Sequence, residues 1–237
     1  MRYLLIACGA LLSCALLAQT TRQARIGKGY VPKINADKIA VPRTLATATD
    51  TFNRADANPL TTTMSDGTSV WAAFPGDWLG MKTASNAAAH TNSTLSTAAG
   101  LVVLTPNFYA DQSVSITLGS VLDLQMLFLR GNSTLTAGYA VEIDSATTII
   151  TYELGASAAT AGITSPSQIK TGLSLVAGDV ITATATGGST TVINIYVNSI
   201  LVDTYTDSTD AVTSGQPGIG VLQGGIGNLN EFFATDL

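Results

Sequence analysis

Cysteine and histidine are nearly missing from this chain of 237 residues. Its two cysteines, Cys8 and Cys14, lie in an apolar N-terminal stretch, and His90 is the one histidine. Most Cys/His zinc sites need more such ligands, so that chemistry is excluded. If the stretch is removed, no thiol remains for a disulfide or a covalent nucleophile. The fold must then be held by its core, its sheet hydrogen bonds or a metal. Charge is also scarce: 11% of residues are charged, with a formal net of −5. A nucleic-acid surface needs a basic field, so nucleic acid is set aside as a partner. No Gly-x-Ser-x-Gly elbow, phosphate-binding loop or Cys/His cluster occurs. No internal repeat of convincing period is present.

Apolar residues, in contrast, make up 46% of the chain and are well spread. That is enough for one sizeable core and one fold-sized unit. Arg2 precedes a continuous apolar run from Tyr3 to Leu17. The run is at the upper end of a signal-peptide core and short for a membrane span. Residues 1–18 are read as an export signal, with cleavage after Ala18. Two alternatives stand beside it: a lipoprotein signal on Leu11-Leu12-Ser13-Cys14, and a retained hydrophobic segment.

Charge is divided unevenly along the chain. Residues 1–45 carry seven bases and one acid, a net of +6; residues 46–237 carry four bases and fifteen acids, a net of −11. Residues 19–45, with Gly27, Gly29, Pro32 and Pro42, read as a basic extended arm or linker. It is either a solvated tether or an electrostatic dock for an acidic surface.

From residue 46 onward period-2 alternation dominates. Strands are expected at Gln112–Leu118, Gly138–Asp144, Thr148–Leu154, Asp179–Ala185, Thr191–Val197 and over 200–206. Ser145-Ala146-Thr147 and Asn198-Ser199 are expected to close hairpins, Asn tolerating positive φ in a tight turn. Thr-rich, Gly-punctuated strands at this spacing imply an all-β antiparallel sandwich or barrel.

The order of short motifs adds to this reading. Asp50-Thr51-Phe52-Asn53-Arg54 opens the body, followed by Trp71 and Trp78. Asp111-Gln112-Ser113-Val114, Leu129-Arg130, Gly138-Tyr139-Ala140-Val141, Gly178-Asp179-Val180-Ile181 and Ile195-Tyr196-Val197-Asn198 come next. Ser214-Gly215-Gln216-Pro217-Gly218-Ile219-Gly220 and Phe232-Phe233-Ala234-Thr235-Asp236 close it. The succession, over about 50–237, resembles the concanavalin A-like lectin/glucanase jelly roll in its laminin-G-like bacterial and phage form. It departs at Asn198-Ser199, where that family usually has Asn-Gly. The resemblance implies two packed antiparallel sheets, one concave. It implies glycan binding in many members, no required cofactor, and in some members a structural calcium. Fold alone does not settle function.

Several residues are candidates for chemistry. Glu142 and Asp144, at i and i+2 on one strand, project from the same face, as paired carboxylates for glycoside hydrolysis must. The third acid of the Glu-x-Asp-x-Glu pattern is missing, with Ala146 in its place, and Glu153 falls at another height. The bland alternative is two acids on a solvent-facing polar face. His90 lies in a Ser/Thr/Asn/Ala-rich segment and reads as a surface-loop residue. Trp71, Trp78, Tyr109 and Tyr139 offer flat faces to sugar rings. Trp78 is the preferred contact, and Tyr139 shares the apolar face of its strand. Arg130 suits a uronate or sialate through a bidentate pair, or equally a buried Asp. Asp50 and Asp236 are metal candidates if first and last strands pair, and Asp207–Asp210 forms a second oxygen-rich loop. Asn92 and Asn132 begin glycosylation sequons.

These features point to an exported, non-enzymatic β-sandwich that binds glycan or cell-surface polysaccharide, extracellular or at the cell surface. The alternative is a structural subunit of an assembly, a virion decoration or a surface filament, docking or self-assembling through its arm. A glycosidase or lyase using Glu142 and Asp144 comes third.

Overall fold

Strands form where β-branched and apolar residues alternate, and they end where Gly, Asn, Asp and Ser interrupt. The computed structural model describes residues 44–237, apart from 57–59, 61–62, 74–80, 91–98, 121–123, 135, 156–165 and 222–227. The hydrophobic segment, the arm up to residue 43, Asn92 and Trp78 lie outside the described residues.

The described strands are β1 (Thr47–Asp50), β2 (Val70–Ala73), β3 (Met81–Ala84), β4 (Ala87–His90), β5 (Ala99–Thr105), β6 (Gln112–Leu118), β7 (Gln125–Gly131) and β8 (Gly138–Ser145). They continue with β9 (Thr148–Leu154), β10 (Gln168–Thr171), β11 (Val180–Thr186), β12 (Thr191–Val197), β13 (Ile200–Asp207), β14 (Gln216–Val221) and β15 (Leu229–Asp236). Every pairing is antiparallel. One sheet has the order β13-β12-β11-β6-β15-β4-β3, with β1 beside β15; the other has β10-β9-β8-β7-β14-β5-β2. The chain crosses repeatedly between the sheets, making a jelly-roll sandwich.

The expected strands fall where alternation placed them, to within one residue at their ends. β11 begins at Val180 because Asp179 is spent on the turn before it: its carboxylate accepts from Val176 N at 2.8 Å and Asn198 Nδ2 at 2.8 Å. Asn198 and Ser199 close β12 to β13 with φ of 49° and 68°, the two positive values of a tight hairpin turn. Ser85 and Asn86 do the same between β3 and β4, which makes His90 the last residue of a strand rather than a loop residue.

The core lies between the sheets. Val114, Ile116 and Leu118 of β6, Ile193 and Ile195 of β12, and Tyr139, Val141 and Ile143 of β8 are all buried in it. A second apolar cluster sits on the other side of the seven-stranded sheet: Val102, Met126, Phe128, Ala140, Tyr152 and Leu154, all buried.

Candidate functional site

Arg130 is fully buried, so the structure assigns it a structural place rather than a solvent-facing one. By alternation from Phe128 its side chain should point outward. An extra residue on β7 prevents this: Gln216 and Gly218 of β14 pair with Gly131 and Phe128, two steps against three. The bulge, with Arg130 at φ 51°, turns the side chain inward. Gly215 permits the approach, since a Cβ there would lie 2.1 Å from the Arg130 carbonyl oxygen. All five guanidinium N–H groups are used. Nε donates to Ala110 O, Nη1 to Thr191 Oγ1 and Val212 O, and Nη2 to Gly187 O and Asp111 Oδ1. The fork ties three inter-strand connections at one end of the sandwich and leaves no donor for a uronate.

Tyr139 is buried beside it. Its hydroxyl donates to Asp207 Oδ2 at 2.7 Å and accepts from Val212 N at 2.9 Å. Burial, with Asp207 as a further cause, pushes the phenol up to about 12. Asp207 Oδ1 accepts from the Thr209 and Asp210 amides, so this loop is an ordinary acidic turn.

Trp71 is also inside the core. Its indole Nε1 donates to Asp50 Oδ2 at 2.7 Å, and its ring lies between Phe52 and Phe232, centroids 6.4 and 4.7 Å away. Asp50, fully buried, accepts in addition from Phe52 N at 2.9 Å and from Arg54 Nη2. The Asp-Thr-Phe-Asn-Arg motif is thus a structural knot between β1, β2 and the turn after β1. First and last strands do pair, but antiparallel, with Asp50 opposite Phe232. Asp236 is four residues further along, about 14 Å away at the strand rise. It accepts instead from Ala46 N and Tyr109 N, at 2.9 and 2.7 Å. The two carboxylates therefore do not meet around one ion. Among the described residues no group of three His, Cys, Asp or Glu is placed to hold a metal.

Glu142 and Asp144 share a face, as their spacing requires, but not an environment. Asp144 is exposed, whereas Glu142 is 2% exposed in the second apolar cluster. Tyr152 on β9 donates its hydroxyl to Glu142 Oε2. Desolvation drives the Glu142 carboxyl above its ordinary value, against the Tyr152 hydrogen bond and with help from Asp144. The expected polar face is therefore apolar here, and Glu142 faces Met126 and Ile150 across the sheet. Glu153 pairs with Tyr139, three positions away from Glu142. A water-accessible pair of carboxylates is not formed.

The surface rich in ligand-like groups is the outward face of the other sheet. Register aligns Thr49, Phe233, Ser115, Thr182, Tyr196 and Leu201 in one row across β1, β15, β6, β11, β12 and β13. The next row is Thr47, Thr235, Ser113, Thr184, Asn194 and Thr204. On the other side of the first row, Glu231, Thr117 and Val180 align. Phe233 is 43% exposed. It stands in a shallow, mainly apolar groove of about 250 Å³ with Val180, Thr49, Thr51, Ser115, Thr117 and Glu231. Ser115 and Thr182 hydroxyls are 2.8 Å apart, and Thr117 donates to Glu231 at 3.3 Å. Phe233 was legible in one way: two adjacent phenylalanines on a strand cannot share a face, so one of Phe232 and Phe233 must point out.

No family model matches this chain, and no curated protein matches it. Solved structures are similar to it at low identity. One is the carbohydrate-binding module CBM66 from Bacillus subtilis, at 14% identity over 70% of this chain and 91% of that one, TM-score 0.43. A protein of unknown function from Shewanella oneidensis MR-1 is 11% identical over 89% and 96%, TM-score 0.48. The exoplasmic/lumenal domain of VIP36, bound to Ca2+ and Man3GlcNAc, is 9% identical over 72% and 85%, TM-score 0.48. At such distances the reading of this chain rests on its own residues.

Proposed function

We propose that the protein is a non-enzymatic glycan-binding module whose contact surface is the hydroxyl-rich outward face of the eight-stranded sheet, centred on Phe233. One observation carries this: an exposed aromatic ring stands with Val180 in a mainly apolar groove edged by Thr and Ser side chains and one carboxylate. An apolar ring receives the C–H face of a pyranose, while hydroxyls and a carboxylate exchange hydrogen bonds with its rim. The arrangement is formed in the folded chain and needs no loop to order, which lowers the entropic cost of binding. The export-type N-terminal segment supports an extracellular or cell-surface place of action.

Phe233→Ala is expected to weaken binding on a glycan array by at least about tenfold while Tm stays within about 2 °C, because an exposed ring contributes little to the core. Unchanged binding by the folded variant would refute the site. A second reading, self-association in an assembly, is favoured by Ile200 and Leu201, 69% and 53% exposed at the start of edge strand β13. The opposite charges of arm and body favour it too. A monomer at all concentrations in light scattering would dismiss it.

A further inference from the structure

We infer that the Phe233 row is a line of subsites for one neutral, unbranched glycan chain, at least four sugar units long, lying across the strands. The inference rests on the glycan-binding reading above and specifies its ligand.

The row holds a second aromatic ring. Tyr196 on β12 shares it with Phe233 through Ser115 and Thr182. Three strand steps separate the rings, about 14 Å at the inter-strand spacing. That spacing is close to the rise of one unit in an extended β-linked glycan, so each strand presents one subsite. Phe233 and Tyr196 then stack the first and fourth units. Between them Ser115 and Thr182 spend one hydroxyl proton on each other, which leaves one donor and spare lone pairs for the two central units.

Charge limits the class of glycan. Among the residues aligned in these rows Glu231 is the one charged side chain, and no Lys or Arg stands with them. Arg130, the base suited to a uronate, is buried with every donor used. Residues 46–237 carry a net of −11. Uronates, sialates and sulfated chains therefore meet repulsion with no compensating pair. Shape limits it further. Strand twist of about 20–25° per step turns the row by roughly 60–75° from Phe233 to Tyr196. A flat crystalline polysaccharide cannot follow that turn, whereas a single solvated chain can.

The test is calorimetric titration of the full chain with β-1,4-linked gluco-, xylo- and manno-oligosaccharides of two to six units. Oligogalacturonates of equal length are the charged control. At least one neutral series should gain about tenfold or more in affinity from two to four units and little beyond. Tyr196→Ala should cost about tenfold against the tetramer and leave the dimer unchanged. Phe233→Ala should weaken both, and oligogalacturonates should not bind. A dimer that binds as tightly as the hexamer overturns the row while leaving the glycan-binding reading intact. So does a Tyr196→Ala variant with full tetramer affinity, or preference for the galacturonates. If folded protein binds none of these chains, the row reading falls, and a blank on the glycan array as well would overturn the glycan-binding reading on which it rests.

Discussion

Replacing Arg130 with Met keeps the unbranched aliphatic stem and removes the guanidinium with all five donors. What is lost can be counted. Four neutral acceptors, Ala110 O, Gly187 O, Val212 O and Thr191 Oγ1, lose a charged partner. The ion pair with Asp111 adds little, because that carboxylate is half exposed and returns to water. A net hydrogen bond contributes about 1 kcal/mol, more when the donor is charged, so four amount to about 4 kcal/mol. Relief of the desolvation of the buried guanidinium works against part of this. An overall loss of about 3–4 kcal/mol is expected, a fall in Tm of roughly 6–16 °C for a chain of this size. Arg130→Lys, with charge but three donors and no planar fork, should fall between. Chemical denaturation of the full chain measures this, with glycan binding read below the transition. A Met variant within 1 kcal/mol of wild type would refute the clamp. Loss of binding at unchanged stability would return Arg130 to a ligand-contacting role.

Other substitutions probe the remaining features. Glu142 has its carboxyl raised above 4.5 by burial. Its protonated form is favoured in the folded state, so this contribution is present below the unfolded value and is lost as pH rises through the folded one. Glu142→Gln keeps an acceptor for Tyr152 without a charge. Its gain in Tm over wild type should be larger at pH 8 than at pH 4; an equal gain at both would refute the sign. Ser199→Gly places glycine where φ is 68° and should raise stability by about 0.5–1 kcal/mol. A loss on thermal denaturation would show that the hairpin is held by the Ser side chain. Gly215→Ala should destabilise by more than about 2 kcal/mol, since its Cβ meets the Arg130 carbonyl and φ is 148°; wild-type stability would argue against that close approach.

Particular elements show what was readable before the structure. β6 at Gln112–Leu118, β9 at Thr148–Leu154 and β12 at Thr191–Val197 lie within the limits that alternation drew. The Asn198-Ser199 turn was readable because positive φ is a property of one or two residues. The candidate contacts fared differently. Trp71, Tyr139 and Arg130 suit a sugar by their chemistry, yet all three are buried with their polar atoms paired inside the protein; for Tyr139 the apolar face of its strand, and for Arg130 burial with an Asp partner, is the alternative that holds. The choice between those two places for Arg130 was beyond local reading because a one-residue bulge against β14 sets its direction. Glu142 was beyond it because alternation marks two faces but not which of them water reaches.

The sequence by itself determined six of the strands, two of their turns, the all-β class and the uneven division of charge between residues 1–45 and 46–237. Those depend on neighbouring side chains, on φ preferences and on simple charge counts. Tertiary structure decided sidedness: that the seven-stranded sheet carries a buried apolar cluster on its outward face too, that Asp50 and Asp236 lie apart, and that Phe233 and Tyr196 share a row. Each of these is set by register between strands far apart in the chain, such as β15 beside β6 and β6 beside β11. A shift of one residue would exchange the buried and exposed faces.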